Sequence, residues 1–132
     1  MNIQKRKGVH RDMSKENKIT VFRGEIYYAE LSPAEGSEQG GVRPVVIVQN
    51  NTGNKHAPTT IVAPLTTRLG KHKLPTHVAL NDTRSGLSHE SIILLEQVRT
   101  ISKTRLRDKI GYAPIEVMDE VNKALKISLG LI

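Results

Sequence analysis

The sequence predicts a mainly β (α+β) fold: a small antiparallel barrel-like sheet closed by one C-terminal helix. About six short runs rich in β-branched residues follow one another. Most are joined by turns and loops too short for a helical crossover, which favours antiparallel neighbours. Beyond Pro114 the apolar period lengthens from that of a strand to that of a helix.

The elements follow in order. Residues 1–18 (MNIQKRKGVHRDMSKENK) are polar and basic, with few apolar positions, and are expected to form a disordered arm ahead of one domain spanning 19–132. Lys5, Arg6 and Lys7 could touch phosphates, although short charged tails are usually only solvated. Glu25 to Leu31 alternates as a half-buried strand. Ser32 to Gly41 carries Pro33, Gly36, Gly40 and Gly41 and reads as a flexible loop. Pro44 to Gln49 is a continuous β-branched run suited to a strand buried on both faces. Asn50 to Asn54 is a turn by composition. Thr60 to Leu65 is the next strand, and Pro64 inside it points to an edge or a bulge.

Arg68 to Leu74 is a basic loop with Lys71, His72 and Lys73, followed by a short strand over Thr76 to Leu80. Ser91 to Ile101 predicts one long central strand, interrupted by the polar pair Glu96-Gln97. Ser102 can cap a helical turn over Lys103 to Leu106, and Asp108 to Tyr112 is the last strand. From Pro114, which suits the first helical position, the residues Ile115, Met118, Val121, Leu125 and Leu129 make one apolar stripe. Gly130 can end that helix.

Composition narrows function less than fold. The formal charge is +7, but residues 1–20 hold six Lys/Arg against two acids, leaving fourteen against eleven elsewhere. That excess is compatible with a polyanionic ligand and equally with an ordinary surface. There is no Cys, which excludes disulfides and thiolate zinc sites and fits a reducing cytoplasm. No apolar run approaches the length of a membrane span. The five histidines (His10, His56, His72, His77, His89) show no metal-ligand spacing, so no metal or other cofactor is expected.

Four constellations could carry chemistry. In Gly40-Gly41-Val42-Arg43-Pro44 the glycines let the backbone approach a ligand closely, while Pro44 forces Arg43 to be extended. A guanidinium there matches two phosphate oxygens, though from spacing alone a surface salt bridge is its commoner role. Thr66-Thr67, at the end of a strand, could donate to a phosphoryl oxygen. Paired histidines could move protons on a phosphodiester; His77 alternates in a strand and looks structural. Glu96-Gln97 either satisfy backbone groups or line a groove, where Gln97 could read a base edge. Aromatic residues are few, namely Phe22, Tyr27, Tyr28 and Tyr112, which argues against a broad stacking platform.

These residues, in order, resemble the MazF/PemK toxin family. The opening Arg23-Gly24-Glu25-Ile26-Tyr27-Tyr28-Ala29-Glu30-Leu31-Ser32-Pro33, the segment from Gly36 to Asn50, Leu65-Thr66, Leu74 to His77, and Ile93 to Ile101 carry the similarity. It runs from about Phe22 to Ile132. The resemblance implies an SH3-like barrel, a cytoplasmic homodimer, and a metal-independent endoribonuclease cutting single-stranded RNA at a short sequence. It also implies inhibition by a MazE-type antitoxin. The family's catalytic pair maps onto Arg43 and Thr66. RNA-positioning roles map onto Ser37, Glu38 and Gln39, and further onto Leu74, Pro75, Glu96 and Gln97. Two other activities fit such a barrel: a non-catalytic inhibitor of a protein such as gyrase, and a plain nucleic-acid-binding module.

Overall fold

The computed structural model describes residues 20–67 and 74–131. The expected arm 1–18, with Lys5, Arg6, Lys7 and His10, lies outside the described residues, as do Lys71, His72 and Lys73.

The elements are β1 (Glu25–Glu30), β2 (Val42–Ile47), α1 (Asn51–His56), β3 (Thr59–Thr66), β4 (His77–Leu80), β5 (Ser91–Leu94), β6 (Arg99–Ser102), β7 (Leu106–Tyr112) and α2 (Ile115–Ser128). Short 3₁₀ turns cover Thr83–Ser85, Leu95–Gln97 and Lys103–Arg105. The strands lie in the order β4-β5-β3-β2-β1-β7, with β6 also paired to β3. Their pairings are antiparallel, as the short connections require.

Curling of the sheet into a barrel-like shape follows from chain length. β6 pairs with β3 and β7 with β1, with β2 between β3 and β1. Laid flat, four strand spacings would separate β6 from β7 by roughly 19 Å. The residues Lys103–Arg105 join them and can bridge at most about 14 Å from Ser102 to Leu106. The sheet therefore curls, and its central residues are covered on both faces. Val45 and Ile47 pack with Tyr27, Leu31, Val62, Ile101 and Leu106 inside the curl. Val46 and Val48 pack with Ile26, Leu65, Ile93 and Leu95 on the other face, beneath Met118, Val121 and Ala124 of α2. The unbroken β-branched run is thus a strand with no solvent face, as its pattern predicts.

Four expectations need correction. Asn50 to Asn54 is not a turn but leads into the helix α1. The Asn50 side chain accepts from Gly53 N–H at 2.8 Å as its cap. Tertiary bonds hold the segment helical against its weak propensity. Buried Asn54 accepts from Thr60 Oγ1 (2.8 Å), donates to Gln49 O (2.9 Å), and offers its own carbonyl to the Lys103 ammonium. Lys103 is itself 3% exposed, and burial lowers its pKa.

The expected strand Ser91 to Ile101 is two strands. β5 pairs with the end of β3, β6 with its start, and Glu96-Gln97 sit in the 3₁₀ turn between them. Nor is Pro64 at an edge or a bulge. It faces Val45 of β2 on one side, and on the other it falls in the interval where β6 pairing has stopped at Val62 and β5 pairing has not begun at Leu65. A residue lacking N–H is tolerated inside this central strand because the ladder is already broken there.

Finally, the buried stripe of α2 is Met118, Val121 and Ala124, flanked by half-buried Val117 and Leu125. Ile115 (74% exposed) and Leu129 (58%) lie at the helix ends, away from the sheet. The helix stops at Gly130, whose φ of 69° suits glycine.

Candidate active site

The loop between β1 and β2 is fixed at both ends. Leu31 N–H donates to Gly41 O (2.9 Å), and Gly41 N–H donates to Ser32 Oγ (2.9 Å). From β6 and the turn after it, Arg99 donates to Leu31 O (3.0 Å), and Arg105 donates to Glu30 O (3.1 Å) and Ser32 O (2.7 Å). Ser32 N–H in turn binds the Glu30 carboxylate at 2.9 Å and holds that carboxyl below its ordinary range. Replacing Arg105 by Met removes donors from two carbonyls, a loss of about 1 to 2 kcal/mol by the usual worth of such bonds. The Leu31 and Gly41 amides should then exchange hydrogen faster while the β3 core amides do not. Equal protection at Leu31 and Gly41 in the two proteins would show that Arg105 does not hold the loop.

This clasp delivers Arg43 to the start of β2. Pro44 keeps Arg43 extended, and Arg43 Nε donates to Gly40 O at 2.9 Å, so the loop backbone aims the guanidinium. Its two Nη groups carry four further N–H donors. Among the described residues no carboxylate forms an ion pair with it.

β2 and β3 pair with Val45 opposite Pro64. Carried two residues on, that register sets Arg43 across from Thr66, the last residue of β3. Both line one open cleft of about 390 Å³, with Tyr28, Pro44, Leu65, Thr67, Ser88, His89 and Ser91 among its walls.

A second cleft, of about 340 Å³, is lined by Glu38, Gln39, Pro64, Glu96, Gln97 and Arg99 among others. It adjoins the first, because Pro64 and Thr66 are neighbours on one face of β3, about 7 Å apart. Here the turn Leu95–Gln97 clips the loop. Gln39 N–H donates to Gln97 Oε1 (2.9 Å), and Gln97 Nε2 donates to Ser37 O (3.3 Å). Glu96 accepts from Thr76 Oγ1 at 2.9 Å. His77 Nδ1 accepts from Leu74 N–H (3.2 Å), so the ring proton sits on Nε2, which donates to Glu96 Oε2 at 3.0 Å.

Ser37, Gln39 and Gln97 thus form one bonded group with Glu38 beside them, whereas Glu96 ties Thr76 and His77 to the same turn, and Leu74 joins it only through the His77 ring; Leu74 and Pro75 line neither cleft. Glu38 also spends a carboxylate oxygen on Glu35 N–H inside the loop (2.8 Å). The polar interruption of the apolar run has two distinct jobs, one per residue.

The structure adds Tyr28, Ser88 and His89 to the Arg43–Thr66 cleft. Tyr28 was legible in principle, since alternation puts it on the face opposite buried Tyr27. His89 had no signal, because only the β3–β5 pairing brings its loop to the end of β3. Among the described residues no group of three or more metal-binding side chains occurs, and no helix is long and apolar enough to cross a membrane.

Comparison with known proteins finds relatives of the chain along most of its length. A family model described as PemK-like, MazF-like toxin of type II toxin-antitoxin system matches residues 22–129. The chain is 56% identical to the endoribonuclease MazF of Staphylococcus saprophyticus over 109 residues, covering 83% of this chain and 91% of that protein. It is 56% identical to the endoribonuclease EndoA of Bacillus subtilis over 114 residues, covering 86% and 98%. Among solved structures it is similar to a mycobacterial endoribonuclease in complex with its cognate antitoxin, with a TM-score of 0.71, 28% identity, and coverage of 85% and 97%.

Proposed function

The chain belongs to the PemK-like, MazF-like toxins of type II toxin-antitoxin systems, and on that premise we propose that it is a sequence-specific endoribonuclease acting on single-stranded RNA, mRNA included. The observation that carries this reading is the placement of Arg43 across from Thr66 on the wall of one cleft, beside a second cleft rich in hydrogen-bonding groups.

The ribose 2′-OH attacks the adjacent phosphorus, giving a 2′,3′-cyclic phosphate and a 5′-OH end. DNA lacks that hydroxyl and is inert. The Arg43 guanidinium grips the phosphate and offsets the charge that grows on it in the transition state. An arginine is always protonated, so it serves as a clamp and not as a base. Thr66 donates a second hydrogen bond to the same oxygens. Ser37, Glu38, Gln39, Leu74, Pro75, Glu96 and Gln97 hold the flanking bases, where side-chain amides and backbone groups can read base edges.

No metal takes part in this scheme. The protein works as a cytoplasmic homodimer and is silenced by a MazE-type antitoxin; the mycobacterial relative's structure holds that protein with its own cognate antitoxin.

Incubation with long single-stranded RNA in EDTA tests the scheme: discrete cuts are expected, and mapping them defines the site. RNA that is bound but left whole would instead identify a nucleic-acid-binding barrel without turnover. Thr66→Ala is expected to slow cleavage by on the order of 10²-fold, the usual worth of one such donor. An unchanged rate removes Thr66 from the mechanism.

A further inference from the structure

We propose that His89 is the general acid of the cleft, protonating the 5′-oxygen as it leaves; this rests on the endoribonuclease reading above. Arg43 stands on β2, one neighbour of β3, and His89 stands two residues before β5, its other neighbour. Thr66 belongs to the strand between those two neighbours, and all three residues line the same cleft. In-line displacement places the attacking and departing oxygens on opposite sides of phosphorus. A site with a clamp on one flank and a proton carrier on the other matches that demand.

The chemistry needs such a carrier. A guanidinium stays protonated and a threonine hydroxyl does not ionise near neutrality, so Arg43 and Thr66 can stabilise charge but cannot shuttle a proton. The leaving 5′-alkoxide is a strong base and departs poorly unless protonated. Among the described lining residues, His89 alone is of a type that gains and loses a proton around neutrality.

Its surroundings suit the task. The side chain is exposed to solvent, from which it can recover a proton. Ser88 Oγ lies 2.9 Å from its Nδ1, and a hydroxyl can accept from Nδ1–H or donate to bare Nδ1. The ring is therefore held in both protonation states, with Nε2 left for the substrate. Ser91 Oγ donates to the His89 carbonyl (3.1 Å) and fixes the backbone at this point.

In the step itself, the 2′-oxygen bonds to phosphorus and its proton passes to solvent. The P–O5′ bond breaks with its electron pair on O5′. The Nε2 proton moves to that oxygen, giving the 5′-OH, and solvent reprotonates the ring.

The test uses an oligonucleotide carrying a mapped cut site, made with either oxygen or sulfur at the 5′-bridging position, because a thiolate leaves without protonation. His89→Ala is expected to slow cleavage of the oxygen substrate by about 10²-fold, a usual general-acid contribution. It should cleave the sulfur substrate within about threefold of the wild-type rate, since no acid is then needed. It should also bind a 2′-O-methyl version of the RNA as the wild type does. A variant equally slow on both substrates, or as fast as wild type on both, would overturn the acid role while leaving the ribonuclease reading intact. Wild-type protein that cuts neither RNA would overturn that reading and the acid role with it.

Discussion

Arg43→Lys is expected to lower the rate of RNA cleavage by on the order of 10³-fold, the upper range for removing one charge-stabilising group, with the fold unchanged. The charge is retained, so a purely Coulombic role predicts a mild effect. The geometry predicts a severe one. Arg43 uses Nε on Gly40 O, and in the mechanism proposed above its Nη groups hold the phosphate, two tasks that a planar fork can perform at once. A lysine ammonium is one point on a flexible stem. If it binds Gly40 O it is drawn from the phosphate, and if it reaches the phosphate the loop end is released. Initial rates on a mapped RNA, with circular dichroism to confirm folding, measure the effect. Activity within a few-fold of wild type would falsify the clamp.

Gly86→Ala is expected to destabilise the fold by about 3 kcal/mol, combining left-handed backbone strain with overpacking, and to lower the melting temperature by roughly 10 °C. Gly86 ends the turn Thr83–Ser85 at φ 75°, and a Cβ there would lie 2.2 Å from the Ile110 carbonyl oxygen. Gly111 answers from the other side, where a Cβ would lie 2.4 Å from Arg84 O. Two backbones meet flush with no side chain between them, so neither can give way by changing a rotamer. Gly36→Ala is the control. It shares a positive φ (58°) but has nothing within 4 Å, so only the strain of about 1 kcal/mol remains. Thermal melts of the two variants separate the contributions, and equal shifts would mean that the close approach costs nothing.

The sheet and its closing helix were legible because burial imposes period. Val45 to Val48 must be apolar on both faces, and the positions that α2 buries must recur every three or four residues. What escaped local reading depended on partners distant in sequence. Asn50 to Asn54 is turn-like by composition, and its helix is held by Thr60 and by Lys103, 49 residues further on. The apolar run from Ser91 to Ile101 says nothing about two separate pairings on β3. The close approach of Gly86 to Ile110 and of Gly111 to Arg84 and Ser85 has no sequence signature at all.

The candidate site divides in the same way. Arg43 and Thr66 end adjacent strands and carry recognisable flanking residues, so sequence could single them out, whereas His89 enters only through strand pairing. The register of β2 on β3, carried two residues beyond its Val45–Pro64 pair, sets Arg43 and Thr66 across from each other, and both line one cleft.

The clasp on the first loop has an evolutionary consequence. Its fastenings use Leu31, Ser32 and Gly41 together with two arginines from distant elements, while residues 33–38 between them are exposed. That stretch is a cassette. Apart from Glu38, whose carboxylate accepts from Glu35 N–H inside the loop, its side chains can be exchanged without disturbing the barrel or the arginine it aims. Under the ribonuclease reading proposed above, a lineage could drift from one target sequence to another through folded, active intermediates, with selection for stability and selection for target acting on separate residues.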